Sequence, residues 1–189
     1  MKYNPRSTRS SNPPEKYLNL TTQRKLLCLL AEFNAKENLQ VVNARLLQKV
    51  LDKELIIFLC HGQCAEETLW DGWPQSNILP KNVSIIRLFG THEVNYCKGT
   101  SWFNYKRQEG LIWNEYKKAG ASTTLRSYME NSKLHPLNDN SLNITLMNIQ
   151  NIMITLNDLN KKSVWIGSSQ GASVCMSAAL NLQEEQRPM

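Results

Sequence analysis

The run Glu54-Leu55-Ile56-Ile57-Phe58-Leu59-Cys60 constrains the fold more than any other stretch of the chain. From Leu55 onward it has no polar position, so a strand built from it has no face to give to water. Strands of that kind belong to parallel sheets covered on both sides. Two more strand-like runs follow, residues 83–90 (VSIIRLFG) after the turn at 79–82 (LPKN), and residues 163–167 (SVWIG). Helical patterns alternate with them. Leu26, Leu27, Leu30 and Phe33 share one face of a helix that Thr21 or Thr22 can cap, and Leu46, Leu47, Val50 and Leu51 share a face of a second from about residue 43. Leu142, Leu146, Ile149, Met153 and Leu156 recur at helical spacing within 140–159, and residues 172–182 give a last, small-residue helix. Residues 91–138 carry no such period and are rich in aromatics. This alternation predicts an α/β protein with a parallel sheet.

At 189 residues the chain suits one domain with a sizeable core. Residues 1–19 read as a polar, proline-bearing leader, and residues 20–189 as the domain, in which 20–51 form a helical extension before the first strand. Lys2, Arg6, Arg9, Lys16, Arg24 and Lys25 against Glu15 put most of the net charge of +6 in the first 25 residues. The rest is almost neutral, which argues against a broad nucleic-acid-binding face. The longest apolar runs, at 26–31 and 55–60, fall far short of the ~18 residues that suggest a membrane span. Neither lies where a signal peptide would place one, so the expected location is cytoplasmic. The five cysteines (Cys28, Cys60, Cys64, Cys97, Cys175) form no regular framework and are expected to be reduced thiols. Cys60, His61, Cys64, His92 and Cys97 match no zinc spacing, so no metal is expected.

Three short stretches carry chemistry. Gly167-Ser168-Ser169-Gln170-Gly171 stands between a strand and a helix, the context in which G-x-S-x-G lifts a serine hydroxyl onto a sharp turn. The small residues are needed because the helix packs tightly beneath that turn. Leu59-Cys60-His61-Gly62-Gln63 ends a buried strand, where a turn can aim the amide of Gln63 at a reacting carbonyl; the amide of Gln170 would be its partner. His61, beside Gly62 at a strand end, reads as a structural residue under the loop. The third stretch is Ser101-Trp102-Phe103-Asn104.

In this order and context, the three stretches resemble the phospholipase/carboxylesterase family that includes the acyl-protein thioesterases, whose members carry a His-Gly loop, Ser-Trp-Phe-Asp and Gly-Phe-Ser-Gln-Gly-Gly. The chain is also similar to fungal-type small serine hydrolases, which use Gly-Phe-Ser-Gln-Gly-Ala. The resemblance covers roughly residues 54–182. It implies a three-layer α/β-hydrolase-like fold, Ser169 as nucleophile, Gln63 and Gln170 as the oxyanion hole, an ester or thioester substrate and no cofactor. Trp102 and Phe103 become candidates to line an acyl pocket.

The chain departs from those families at several points. Ser168 replaces phenylalanine, Asn104 replaces aspartate, and the aspartate and histidine that the families place on later strands have no counterpart after Ser169. The fold is therefore expected to be C-terminally incomplete, with residues 163–167 as an exposed sheet edge open to a protein partner or to self-association. His92, just past the second strand, is the candidate substitute base, and His135 lies further along the same irregular segment. A catalytically incomplete, hydrolase-derived interaction protein is the alternative reading.

Overall fold

The computed structural model describes residues 15–70, 74, 77–93, 98–103 and 140–188. Helix α1 (Glu15–Glu32) leads into a hairpin of two-residue strands, β1 (Lys36–Glu37) and β2 (Gln40–Val41). Helix α2 (Ala44–Leu51) follows, then β3 (Leu55–Cys60), a 3-10 turn (Glu67–Trp70) and β4 (Val83–Leu88). A ribbon of β5 (His92–Glu93) and β6 (Thr100–Ser101) precedes α3 (Ser141–Asp158), β7 (Lys162–Gly167), α4 (Gln170–Leu180) and a last 3-10 turn (Glu184–Gln186).

The main sheet runs β2-β1-β4-β3-β7. β3 is parallel to β4 on one side and β7 on the other, while β1 is antiparallel to β4. The α/β class and the parallel centre agree with the sequence reading. Residues 20–51, read as helical, also contain the hairpin. Its turn bends through positive φ at Asn38 (47°) and Leu39 (66°), and two-residue strands are too short to carry a periodic signal. α1 begins at Glu15, so Thr21 and Thr22 lie inside the helix rather than at its cap. Asn43 caps α2, accepting a 3.0 Å hydrogen bond from Leu46 N.

Strand alternation divides the core. Ile56, Phe58 and Cys60 of β3 with Ile86 and Leu88 of β4 meet residues from all four helices, among them Leu30, Leu47, Ile152 and Val174. On the other face, Leu59 and Ile85 pack with Trp70, against half-buried Ile57, Leu79 and Ile166. The described helices thus cover one face. The other is closed, among the described residues, by the segment that joins β3 to β4, so helices on both faces are not what these residues form. Phe58 and Trp165 sit opposite each other in the β3–β7 register, with rings stacked at 4.3 Å. β7 is an edge strand among the described residues, with Val164, Trp165 and Ile166 only half-buried. Among them, no helix is long and apolar enough to cross a membrane.

Candidate functional site

The register places the site. Cys60 pairs with Leu88 in β4 and with Gly167 in β7, so the three parallel strands end level. His61-Gly62, Phe89-Gly90 and Ser168-Ser169 therefore emerge on one rim, at the carboxyl ends where α/β proteins place their ligands.

Ser168 N donates to Cys60 O at 3.0 Å, carrying the ladder one residue past β7. The chain then reverses. Ser169 has φ 49° and ψ −117°, outside the left-handed helical well, which lies near ψ +30° to about +60°. Gly171 N donates to Ser168 O and Ser173 N to Ser169 O, opening α4. The two glycines allow this crowding. A Cβ on Gly167 would sit 2.4 Å from Ala172 N, and one on Gly171 would sit 2.3 Å from His61 O and 2.4 Å from Cys60 O. Ser169 is exposed on top of the turn, with the positive end of the α4 dipole beneath it.

The His-Gly corner meets this turn directly. A Cβ built on Gly62 would lie 3.3 Å from Ser169 Cβ and 3.5 Å from Ser168 O. Gln63 continues from that corner. Gln170 is the first residue of α4, a position whose N–H has no intrahelical acceptor. The arrangement thus sets a strained, exposed serine between a sharp corner and a helix N-terminus.

His61 is fully buried beneath the corner. Gly90 N donates to its Nε2 at 2.7 Å, so Nε2 is the acceptor and Nδ1 carries the proton, which it gives to Gly62 O at 2.5 Å. Both ring nitrogens are thereby committed to backbone. Burial lowers the imidazole pKa from its ordinary 6.5, and the Gly62 carbonyl only partly opposes that. The fold therefore favours the neutral ring. Above about pH 6.5 neither folded nor unfolded chain is protonated here and the full contribution is present. Below it the unfolded chain takes up a proton that the folded chain resists, so stability falls as pH drops toward the folded value. The urea midpoint should fall between pH 7.5 and 5.5, and His61→Gln should flatten that slope; equal slopes for the two proteins would contradict this role.

Trp102 lies in the core with no exposure, beside Phe33 and 5.1 Å from the His61 ring. Its indole Nε1–H donates to His61 O at 2.6 Å, its backbone N–H to Gln170 Oε1 at 2.9 Å, and its carbonyl accepts from Thr145 Oγ1 at 2.5 Å. One cavity on this side of the molecule, about 390 Å³ and bordered by Phe89, Gly90, Lys98 and Thr100, does not have Trp102 or Phe103 on its wall. Phe103 is half-buried against the main core. His92 pairs with Ser101 in the β5–β6 ribbon and is half-buried. Asn104 and His135 lie outside the described residues.

Cys64 is in a disulfide, which corrects the expectation of five reduced thiols. The fifth cysteine, Cys97, lies outside the described residues; Cys28, Cys60 and Cys175 are free. The loop after Gln63 is sewn to the segment before Trp102: Thr100 N donates to Ala65 O, and a Cβ on Gly99 would meet Cys64 O and Ala65 O at 2.4 Å. Such a return over more than thirty residues leaves no mark in cysteine spacing. Burial, with Cys175 beside it, pushes the Cys60 thiol well up and leaves it protonated. Among the described residues no three His, Cys, Asp or Glu side chains converge as metal ligands. Gly90 and Thr100, which hold His61, were not singled out in the sequence; a glycine at a strand end was the only available signal.

No family model matches the chain, and neither do any curated protein or any solved structure.

Proposed function

We propose that the chain is a serine hydrolase of carboxylic esters or thioesters, working through an acyl-enzyme on Ser169. The observation that carries this reading is the contact of the two corners: an exposed serine at positive φ between β7 and α4, with Gly62 against it. Backbone strain persists where the surrounding structure holds it, and it clusters at reactive sites. In the reaction Ser169 Oγ attacks the acyl carbon and the carbonyl oxygen becomes an oxyanion. The amides of Gln63 and Gln170 hold that charge, each contributing on the order of 3 kcal/mol in the transition state. The alcohol or thiol leaves, and water then releases the acid and restores the serine. No cofactor is needed for these steps. His61, with both nitrogens occupied, does not serve as base. His92, on the ribbon that follows β4, is the candidate substitute. The reading requires it to come within about 3 Å of Ser169 Oγ, to take the serine proton and pass it to the leaving alcohol or thiol.

A fluorophosphonate probe tests the reading. The native protein should gain one adduct, on Ser169. A native protein that acquires none, or acquires it on another serine, overturns the proposal.

The half-buried apolar edge of β7 favours a second reading, a hydrolase-derived protein that pairs this edge with a partner strand. It predicts self-association or a stable complex in gel filtration; a monomer that turns over esters disposes of it.

A further inference from the structure

We infer that Trp102 is a positioning residue that sets the separation of the two oxyanion donors; this rests on the proposed acyl transfer at Ser169. The donors belong to segments far apart in sequence, Gln63 after β3 and Gln170 after β7. Trp102 is hydrogen-bonded to both segments. Its backbone N–H is held by the side chain of Gln170 at 2.9 Å, and its indole N–H holds the carbonyl of His61, two residues before Gln63, at 2.6 Å. Ring size therefore fixes the span between the elbow and the His-Gly corner.

Three features make this span rigid. Trp102 has no exposed surface, so its rotamer is locked by Phe33 and the His61 ring. Thr145 Oγ1 anchors its carbonyl from α3. Gln170 is itself buried, with its Oε1 accepting from Trp102 N while its Nε2 has no hydrogen-bond partner among the described residues. A buried amide retained with one end unsatisfied is costly. That Gln170 nevertheless keeps this geometry points to the Trp102 bond as what the side chain is there to make. An oxyanion hole depends on donors held in place before the charge develops, and a displacement of about 1 Å can cost on the order of a hundredfold in rate.

The test uses fluorophosphonate labelling of the full chain, resolved into kinact and KI, with a thermal melt of each variant. Trp102→Phe keeps a ring but deletes the donor to His61 O. Gln170→Met keeps the backbone amide and side-chain length but deletes the acceptor for Trp102 N–H. A purely structural role lowers the fraction of folded protein, and so the labelled amplitude, while the folded molecules react at the wild-type kinact. A positioning role lowers kinact itself. The expected result is a fall in kinact of about tenfold or more in each variant that melts cooperatively, with KI little changed. A smaller fall in either folded variant, or a loss seen in KI alone, overturns the inference. Should Trp102→Phe fail to fold, Gln170→Met decides. Wild-type protein that is not labelled at Ser169 removes the proposed function instead, a result distinct from labelled wild type with unaltered variants.

Discussion

Gly171→Ala should leave a protein that melts on the order of 10 °C lower, or fails to accumulate as folded chain. The added methyl would sit 2.3 Å from His61 O and 2.4 Å from Cys60 O. Both oxygens are backbone, and neither can swing aside as a side chain tip would. Cys60 O already accepts Ser168 N, and His61 O accepts the Trp102 indole. Relieving the clash means pushing α4 away from the end of β3, which breaks the elbow and opens the packing of Val174 and Cys175. Overpacking of this kind costs about 3 kcal/mol or more when the neighbours are rigid, a large part of a domain's total stability. Ala172→Gly, one position on in the same helix, is the comparison: it costs only the helix propensity of glycine, about 1 kcal/mol. Similar melting points for Gly171→Ala and the wild type would mean that α4 does not sit this close to β3.

Ser169 carries the second large effect, and it runs in opposite directions for activity and stability. Ser169→Gly and Ser169→Ala should both abolish fluorophosphonate labelling and ester turnover, because each removes the proposed nucleophile; in serine proteases such a loss reaches about 10⁶ in kcat. Their stabilities should differ. At φ 49° and ψ −117° any L side chain is strained, by roughly 1–3 kcal/mol, and glycine is not. Ser169→Gly should therefore melt above Ser169→Ala, and above the wild type unless the extra chain entropy of glycine, about 1 kcal/mol, offsets the relief. Should Ser169→Gly melt below Ser169→Ala, the turn is not strained and its resemblance to a reactive elbow is superficial.

The parts of the molecule that were legible in the sequence are those whose signals are local. The run from Leu55 to Cys60 has no polar face, so a doubly covered strand could be read from it directly. The glycines at 167 and 171 flank a serine at a change of period from strand to helix, and their spacing states how closely the helix must approach. What escaped is non-local or too short for a period. The hairpin from Lys36 to Val41 has two residues per strand and turns through a leucine at positive φ, which no propensity favours. The disulfide at Cys64 sits beside a non-local bridge between Ala65 and Thr100, and neither has a local signal. Trp102 looked like an aromatic available to a pocket. Its hydrogen bonds go to Gln170, sixty-eight positions away, and to His61, forty-one positions away, neither of which its neighbours in sequence reveal.

The proposed acyl transfer requires the two corners to form one anion-binding cup around the hydroxyl of Ser169, and a crystal structure of the phosphonylated protein measures that cup directly. Phosphorus should be bonded to Ser169 Oγ, with the phosphoryl oxygen about 2.7–3.1 Å from the backbone nitrogens of both Gln63 and Gln170. A phosphoryl oxygen turned to solvent, with those two nitrogens beyond hydrogen-bonding distance, would contradict it.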